Sequence, residues 1–308
     1  MSVRARLLSG WLRRIERPKM ARAKKPDDLR RQFSRSAKFL FHAPRGTQMQ
    51  WQVLEAGQQR VDALEIVPVD FRDDAVLLYI HGGGFVFGSP KTHAAMVATL
   101  GRSLGLRAVL PRYRLAPETP FPGAFDDVRA AWDGLLQSGV SPSRIVIGGD
   151  SAGGALVLSL LAQLLADKAA LPAGVFCFSP LTDLSYSGES FTKNAAIDAV
   201  LPAERAHAMA ELYMSGHSAA DPKASPIEGR FEGAPPVWIT AGDTEILCDD
   251  SRRMVQLLKN AGVKTTFVEE RDLPHVWPIF HNILPEARQT LDSLAVWIRQ
   301  VLVQANES

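Results

Sequence analysis

An α/β fold built on a mostly parallel sheet is what the sequence predicts, and three observations predict it. After residue 50, short apolar runs alternate with segments of helical periodicity, the pattern of a parallel sheet covered on both faces. One such run, Ala75–Ile80 (AVLLYI), ends directly in His81-Gly82-Gly83-Gly84-Phe85. Another, Arg144–Gly148 (RIVIG), leads into Gly149-Asp150-Ser151-Ala152-Gly153-Gly154, which opens a strongly apolar helical segment.

The elements follow in order. Leu7, Leu8, Trp11, Leu12 and Ile15 fall at helical spacing, so the N-terminus reads as an amphipathic helix folded onto the body with its arginines in water. Residues 51–56 and 60–67 read as a first pair of strands, then 75–80 and 107–110. A turn-rich stretch, RYRLAPETPFPGA, leads into a helix over 125–137. The strand over 144–148, a helix over 152–166 and a strand over 174–178 come next. Strands over 236–240 and 264–269 alternate with helices over 251–261 and 286–302. Residues 183–233 are polar, rich in small residues and break the rhythm. They read as an insertion that forms a lid together with the N-terminal helices. The organisation expected is residues 1–45 as the first part of a helical cap, 46–182 and 234–308 as the core, and 183–233 as the cap insertion.

Composition narrows the function classes. A chain of 308 residues with 46% apolar residues suits one large catalytic domain with a small lid. No run approaches the roughly 18 apolar residues of a membrane span. The opening MSVRARLLSGWLRR has no long apolar stretch, which points to a cytoplasmic protein. Two distant cysteines, Cys177 and Cys248, make neither a disulfide framework nor a zinc pattern. Charge is uneven: residues 1–45 hold 14 Lys and Arg against three acidic residues, a balance of +11, and the rest holds 21 against 30, a balance of −9. Such a basic leader also suits a transit peptide or a nucleic-acid arm, but its helical spacing favours the folded reading, with no nucleic-acid partner. A homodimer is compatible with the sequence.

The chemistry rests on four positions. Gly149, Ser151 and Gly153 satisfy G-x-S-x-G in the strand–turn–helix setting that presents a nucleophilic serine at a sharp turn. The plain alternative is a glycine turn with Ser151 as helix N-cap. The 81–85 glycine loop supplies uncovered N–H groups for an oxyanion, with Gly83, Gly84 and Ala152 as expected donors and His81 as an ordering hydrogen-bonder. A serine on such an elbow goes with the chain order serine, acid, histidine. His275, in a turn after the 264–269 strand, is therefore the expected base, and His281 its competitor. Four carboxylates of the Ala241–Asp250 loop compete as the acid. Asp249 and Asp250 start a helix, where N-capping is the plainer role, and Asp243 and Glu245 remain.

Together HGGGF (81–85), YRLAPE (113–118), FPGAFDD (121–127), GDSAGG (149–154) and LPHVW (273–277) resemble the hormone-sensitive-lipase-like branch of the α/β-hydrolases, the bacterial family IV esterases. The resemblance spans nearly the whole chain and is nearest the acetyl-hydrolase and lactone-hydrolase-like members. It implies an α/β-hydrolase fold with an eight-stranded, mostly parallel sheet and a helical cap. It also implies hydrolysis of short-chain acyl esters of small molecules with neither metal nor organic cofactor. In the family the acid begins a D-P-L-x-D-E stretch about thirty residues before the base; here EILCDD matches, which implies Glu245 where Asp is commoner. The resemblance implies that Glu118 supports the active-site framework and takes no part in the chemistry, and a structural salt-bridging or hydrogen-bonding role is expected of Arg114 and Glu118 alike. An amidase or deacetylase, a lactone hydrolase, and a non-catalytic receptor on the same fold are the rival readings. The receptor reading is disfavoured because His275 is in place.

Overall fold

A computed structural model describes residues 1–23, 25–71 and 73–307 of the chain. Its strands are β1 (Gln48–Ala56), β2 (Gln59–Val67), β3 (Asp73–Ile80), β4 (Leu106–Pro111), β5 (Ile145–Asp150), β6 (Gly174–Phe178), β7 (Val237–Gly242) and β8 (Thr265–Glu270). Among the described residues they form one eight-stranded sheet in the order β1-β2-β4-β3-β5-β6-β7-β8. The β1–β2 and β2–β4 pairs are antiparallel and the others parallel.

Side chains alternate across a strand, and here both faces are buried. Val76, Leu78 and Ile80 enter one apolar cluster with α5 (Gly123–Gln137), α6 (Ala152–Ala166) and α9 (Cys248–Asn260). Leu77 and Tyr79 enter the other, with α4 (Pro90–Leu104) and α10 (Pro285–Glu307). That is why AVLLYI is a continuous apolar run instead of an alternating one. The expected strands and helices are present, with ends shifted by a few residues. Helix α4 was not anticipated, although its ends are marked in the sequence. Ser89 and Thr92 form a reciprocal capping box, Pro90 sits in the first turn, and Gly105 closes the helix at φ +74°.

The N-terminus is helical as expected: α1 (Val3–Trp11), a wide π-turn (Leu12–Glu16), α2 (Arg17–Arg22) and α3 (Pro26–Leu40). The expected seam, however, splits. Ala5, Leu8 and Leu12 are buried, whereas Leu7, Trp11 and Ile15 stand in solvent. Residues 5, 8, 9 and 12 share one helix face, and Leu7, Trp11 and Ile15 fall on the other. Burying Leu8 and Leu12 stabilises the docked helix by roughly 1.5–3 kcal/mol each. Arg30 fastens α3 to the body. Its guanidinium donates to the carbonyls of Val86 (2.9 Å) and Ala116 (2.8 Å) and pairs with Glu118 (2.6 Å). Glu118, and Arg114 through a two-pronged pair with Asp127, thus have the structural salt-bridging role expected of them.

Residues 183–233 carry α7 (Glu189–Lys193) and α8 (Ala203–Met214). The expectation that Asp249 and Asp250 cap their own helix is corrected. Both lie in the first turn of α9, and Leu247, at the cap position, makes no side-chain cap bond. Asp250 instead accepts from the N–H groups of Thr182 (2.7 Å) and Asp183 (2.9 Å), and Asp249 accepts from the Ser190 N–H (2.8 Å). They hold down the start of the inserted segment. No helix among the described residues is long and apolar enough to cross a membrane.

Candidate active site

Strand β5 ends in the G-x-S-x-G turn, and close approach explains its glycines. A Cβ on Gly153 would lie 2.1 Å from the Ile80 carbonyl oxygen, backbone that cannot yield. Helix α6 therefore packs directly against the end of β3. Between strand and helix, Ser151 is held at φ +50°, ψ −121°, a left-handed conformation that non-glycine residues rarely adopt and that is worth on the order of 1–3 kcal/mol of strain. Its N–H donates to the Phe178 carbonyl at 2.9 Å, and its hydroxyl makes no cap bond to α6. The N-cap alternative therefore fails: Ser151 occupies the cap position without capping.

Ser151 and His275 line one pocket together with Gly83 and Gly84. His275 is buried in the turn after β8. Its Nδ1 lies 2.5 Å from Glu245 Oε2, while its Nε2 is buried with no hydrogen-bond partner among the described residues. Burial alone would lower the imidazole pKa. The Glu245 carboxylate opposes it through charge and hydrogen bond, Asp198 and Asp150 add to that, and together they hold the value above the ordinary 6.5.

Glu245 is almost fully buried, and its other oxygen, Oε1, accepts from the Ser179 hydroxyl (2.8 Å) and the Gly242 N–H (2.5 Å). Asp243 is turned to a different task. Its Oδ1 accepts from the Asp272 N–H at 2.7 Å, which shapes the turn leading to His275. Between these two carboxylates, then, the contact with His275 belongs to Glu245. His281 has both ring nitrogens near carbonyls, those of Ile279 (3.1 Å) and His42 (3.4 Å), and does not line the pocket.

The N–H groups of Gly83, Gly84 and Ala152 have no partner within the described residues, and Ala152 begins α6, whose N-terminus favours negative charge. His81 lies behind the glycine loop. It stacks on Tyr113 with ring centroids 4.2 Å apart, and the Tyr113 hydroxyl donates to its carbonyl. Of the aromatics, Phe85 and Tyr186 are pocket walls, whereas Trp277 is core, its indole donating to Thr290.

Sequence reasoning missed a supporting layer. Asp150, beside the serine, accepts from Tyr79 Oη (2.7 Å) and the Gly82 N–H (3.1 Å) and lies 3.3 Å from His93 Nε2. It ties the glycine loop to the serine turn. Asp198, from the inserted segment, accepts from the N–H of Ile246, the residue after Glu245. Asn194 donates to the carbonyls of Asp243 and Glu245. Only the Asp of GDSAGG had a sequence signal.

The pocket encloses about 180 Å³. Trp11, Leu12, Met20 and Phe33 from the N-terminal helices and Leu201 and Met209 from the inserted segment add to its walls.

Comparison with known proteins agrees with this architecture. Residues 77–279 match the family model of the alpha/beta hydrolase fold. An acetyl-hydrolase of Streptomyces hygroscopicus is 38% identical over 228 residues, covering 74% of this chain and 76% of that one. An esterase of Acinetobacter venetianus is 34% identical over 221 residues, covering 71% and 73%. The crystal structure of an esterase from the bacterial hormone-sensitive lipase family superposes with a TM-score of 0.90 at 38% identity, covering 98% of this chain and 99% of that one. That of EstE5, soaked with p-nitrophenyl butyrate, gives 0.91 at 33% identity, covering 98% and 100%. By sequence and by fold, the chain belongs to the hormone-sensitive-lipase-like esterases of the α/β-hydrolase superfamily, a family of carboxylic ester hydrolases.

Proposed function

We propose that the protein hydrolyses short-chain acyl esters through a covalent acyl-enzyme on Ser151, with His275 as general base and acid and Glu245 as the orienting carboxylate. The observation that carries this reading is the divided environment of His275. One ring nitrogen is bound to Glu245, and the other is buried, unpartnered and in the pocket of Ser151. With Nδ1–H donating to Glu245, Nε2 carries the lone pair that takes the serine proton. Ser151 attacks the ester carbonyl, and the Gly83, Gly84 and Ala152 N–H groups receive the oxyanion. His275 protonates the leaving alcohol, and water then releases the acid by the same route. Residues 1–45 and 183–233 act as a cap that closes the pocket.

Short acyl chains are supported by volume. The 180 Å³ cavity lies below the roughly 300–1,000 Å³ of pockets that take drug-sized ligands. On p-nitrophenyl esters, kcat/KM is expected to be highest between acetate and butyrate and to fall at least about tenfold, ~1.4 kcal/mol, by decanoate. A profile that keeps rising with chain length removes the short-chain assignment. Comparison of an acyl ester with its amide analogue separates an esterase from an amidase using the same residues.

The oxyanion assignment has its own test. Gly83 sits at φ +122°, and a Cβ there would lie 2.2 Å from the Phe87 carbonyl oxygen. Gly83→Ala therefore displaces the loop and its N–H groups. Its expected cost is about 10²–10³-fold in kcat, the range for losing one oxyanion donor, with KM changed much less. Wild-type kcat in a folded Gly83→Ala protein removes Gly83 from the assignment.

A further inference from the structure

The N-terminal helix is apolar on two sides. Ala5, Leu8 and Leu12 dock on the body, while Val3, Leu7, Trp11 and Ile15, each four residues from the next, stand 64%, 70%, 38% and 42% exposed. Four residues in an α-helix overshoot one turn, so such a stripe drifts around the axis. The wide π-turn over Leu12–Glu16 checks the drift and keeps Ile15 in line. Cations flank the stripe. Arg4, Arg6 and Arg14 are each one residue, about 100° of rotation, from a stripe residue. Among the described residues none of the three has a carboxylate partner; Arg4 reaches only the Ile283 carbonyl. Helix α3, joined to the π-turn through Ser36 and Glu16, adds Phe39, 80% exposed, with Arg35 and Lys38 exposed beside it.

We infer that this face docks the enzyme on an anionic lipid bilayer, with Val3, Leu7, Trp11 and Ile15 entering the acyl boundary and the flanking arginines meeting lipid phosphates. An apolar stripe bordered by Arg and Lys is the constitution of an interfacial helix. The leader that carries the stripe holds a balance of +11 against −9 for the rest of the chain, so the segment presenting the stripe is the one a negative surface attracts. Trp11 belongs to both the stripe and the pocket wall. The docked face therefore shares a residue with the wall of the pocket that holds Ser151, which would put esters dissolved in the bilayer near that wall.

The full-length protein is tested by co-sedimentation with vesicles of phosphatidylcholine alone and of phosphatidylcholine with phosphatidylglycerol. Binding is expected on the phosphatidylglycerol vesicles, weaker on phosphatidylcholine alone, and weakened further by salt. A Leu7→Glu/Ile15→Glu variant, neither residue of which lines the pocket, is expected to lose at least about tenfold in partitioning. Its turnover of a dissolved ester and its melting temperature should stay at wild-type values. Arg6→Glu/Arg14→Glu is expected to lose binding on phosphatidylglycerol vesicles only. The inference is overturned if the wild type stays in the supernatant or if Leu7→Glu/Ile15→Glu binds as tightly. It is equally overturned by a concentration-dependent dimer that Leu7→Glu/Ile15→Glu dissociates, since a second copy then covers the stripe.

Discussion

Ser151→Ala is expected to lower kcat on p-nitrophenyl acetate by about 10⁶-fold, leaving what the oxyanion groups and binding supply alone. The substitution removes one oxygen from a residue whose backbone, not its side chain, holds the turn. The Ser151 N–H bond to Phe178 and the carbonyl bonds from Ala155 and Leu181 survive in alanine. The hydroxyl makes no cap bond to lose, so the variant should fold and melt close to wild type. His275→Ala is expected to cost a comparable factor, and the double variant scarcely more, because nucleophile and base act as one unit. Losses that multiplied in the double variant would mean two independent contributions and would break the link between the residues.

Glu245→Gln carries the second large effect, about 10⁴-fold in kcat, because an amide can present its NH₂ to Nδ1 and favour the wrong tautomer. The pH profile gives this prediction a sign. In the free enzyme His275 must be neutral to accept the serine proton. Burial lowers its pKa, but the carboxylates around it, Glu245 first among them, hold it above the ordinary 6.5. kcat/KM is therefore expected to fall on the acid side, as the imidazole takes up its proton, with a midpoint above that of an ordinary imidazole. In Glu245→Gln that charge is gone and burial remains, so the midpoint should move down. Asp243→Asn should leave the midpoint in place and affect activity far less, since Asp243 acts through the Asp272 N–H. A midpoint that moves with Asp243 and not with Glu245 reverses the assignment of the acid.

The sequence made the serine turn, the glycine loop and His275 legible because their chemistry needs a particular backbone. Gly153 must be small to meet the Ile80 carbonyl, and Gly83 must reach φ +122°. Such demands leave glycines at fixed places in the chain. Choosing Glu245 over Asp243 needed the family resemblance, because two carboxylates two residues apart look alike until Gly242, Ser179 and His275 surround one of them. The supporting residues were illegible for a related reason. Asp198 lies 47 residues before Glu245 and reaches it only through the fold of the inserted segment. The N-terminal helix misled in one respect: five apolar residues at helical spacing suggested one seam, and nothing in their spacing told the docked face from the exposed one. Asp249 and Asp250 misled by position, since a carboxylate in a first turn fits a cap as well as it fits the N–H groups of a neighbouring loop.

The central claim, a serine at position 151 activated by His275, is tested most directly by reaction with a fluorophosphonate followed by mass spectrometry of the intact chain and its peptides. The expected result is one phosphonyl group per chain, on the peptide carrying Ser151, with none on Ser151→Ala and strongly slowed labelling of His275→Ala. A protein that hydrolyses a short-chain ester at full rate yet stays unlabelled, or carries the group on another residue, would contradict it.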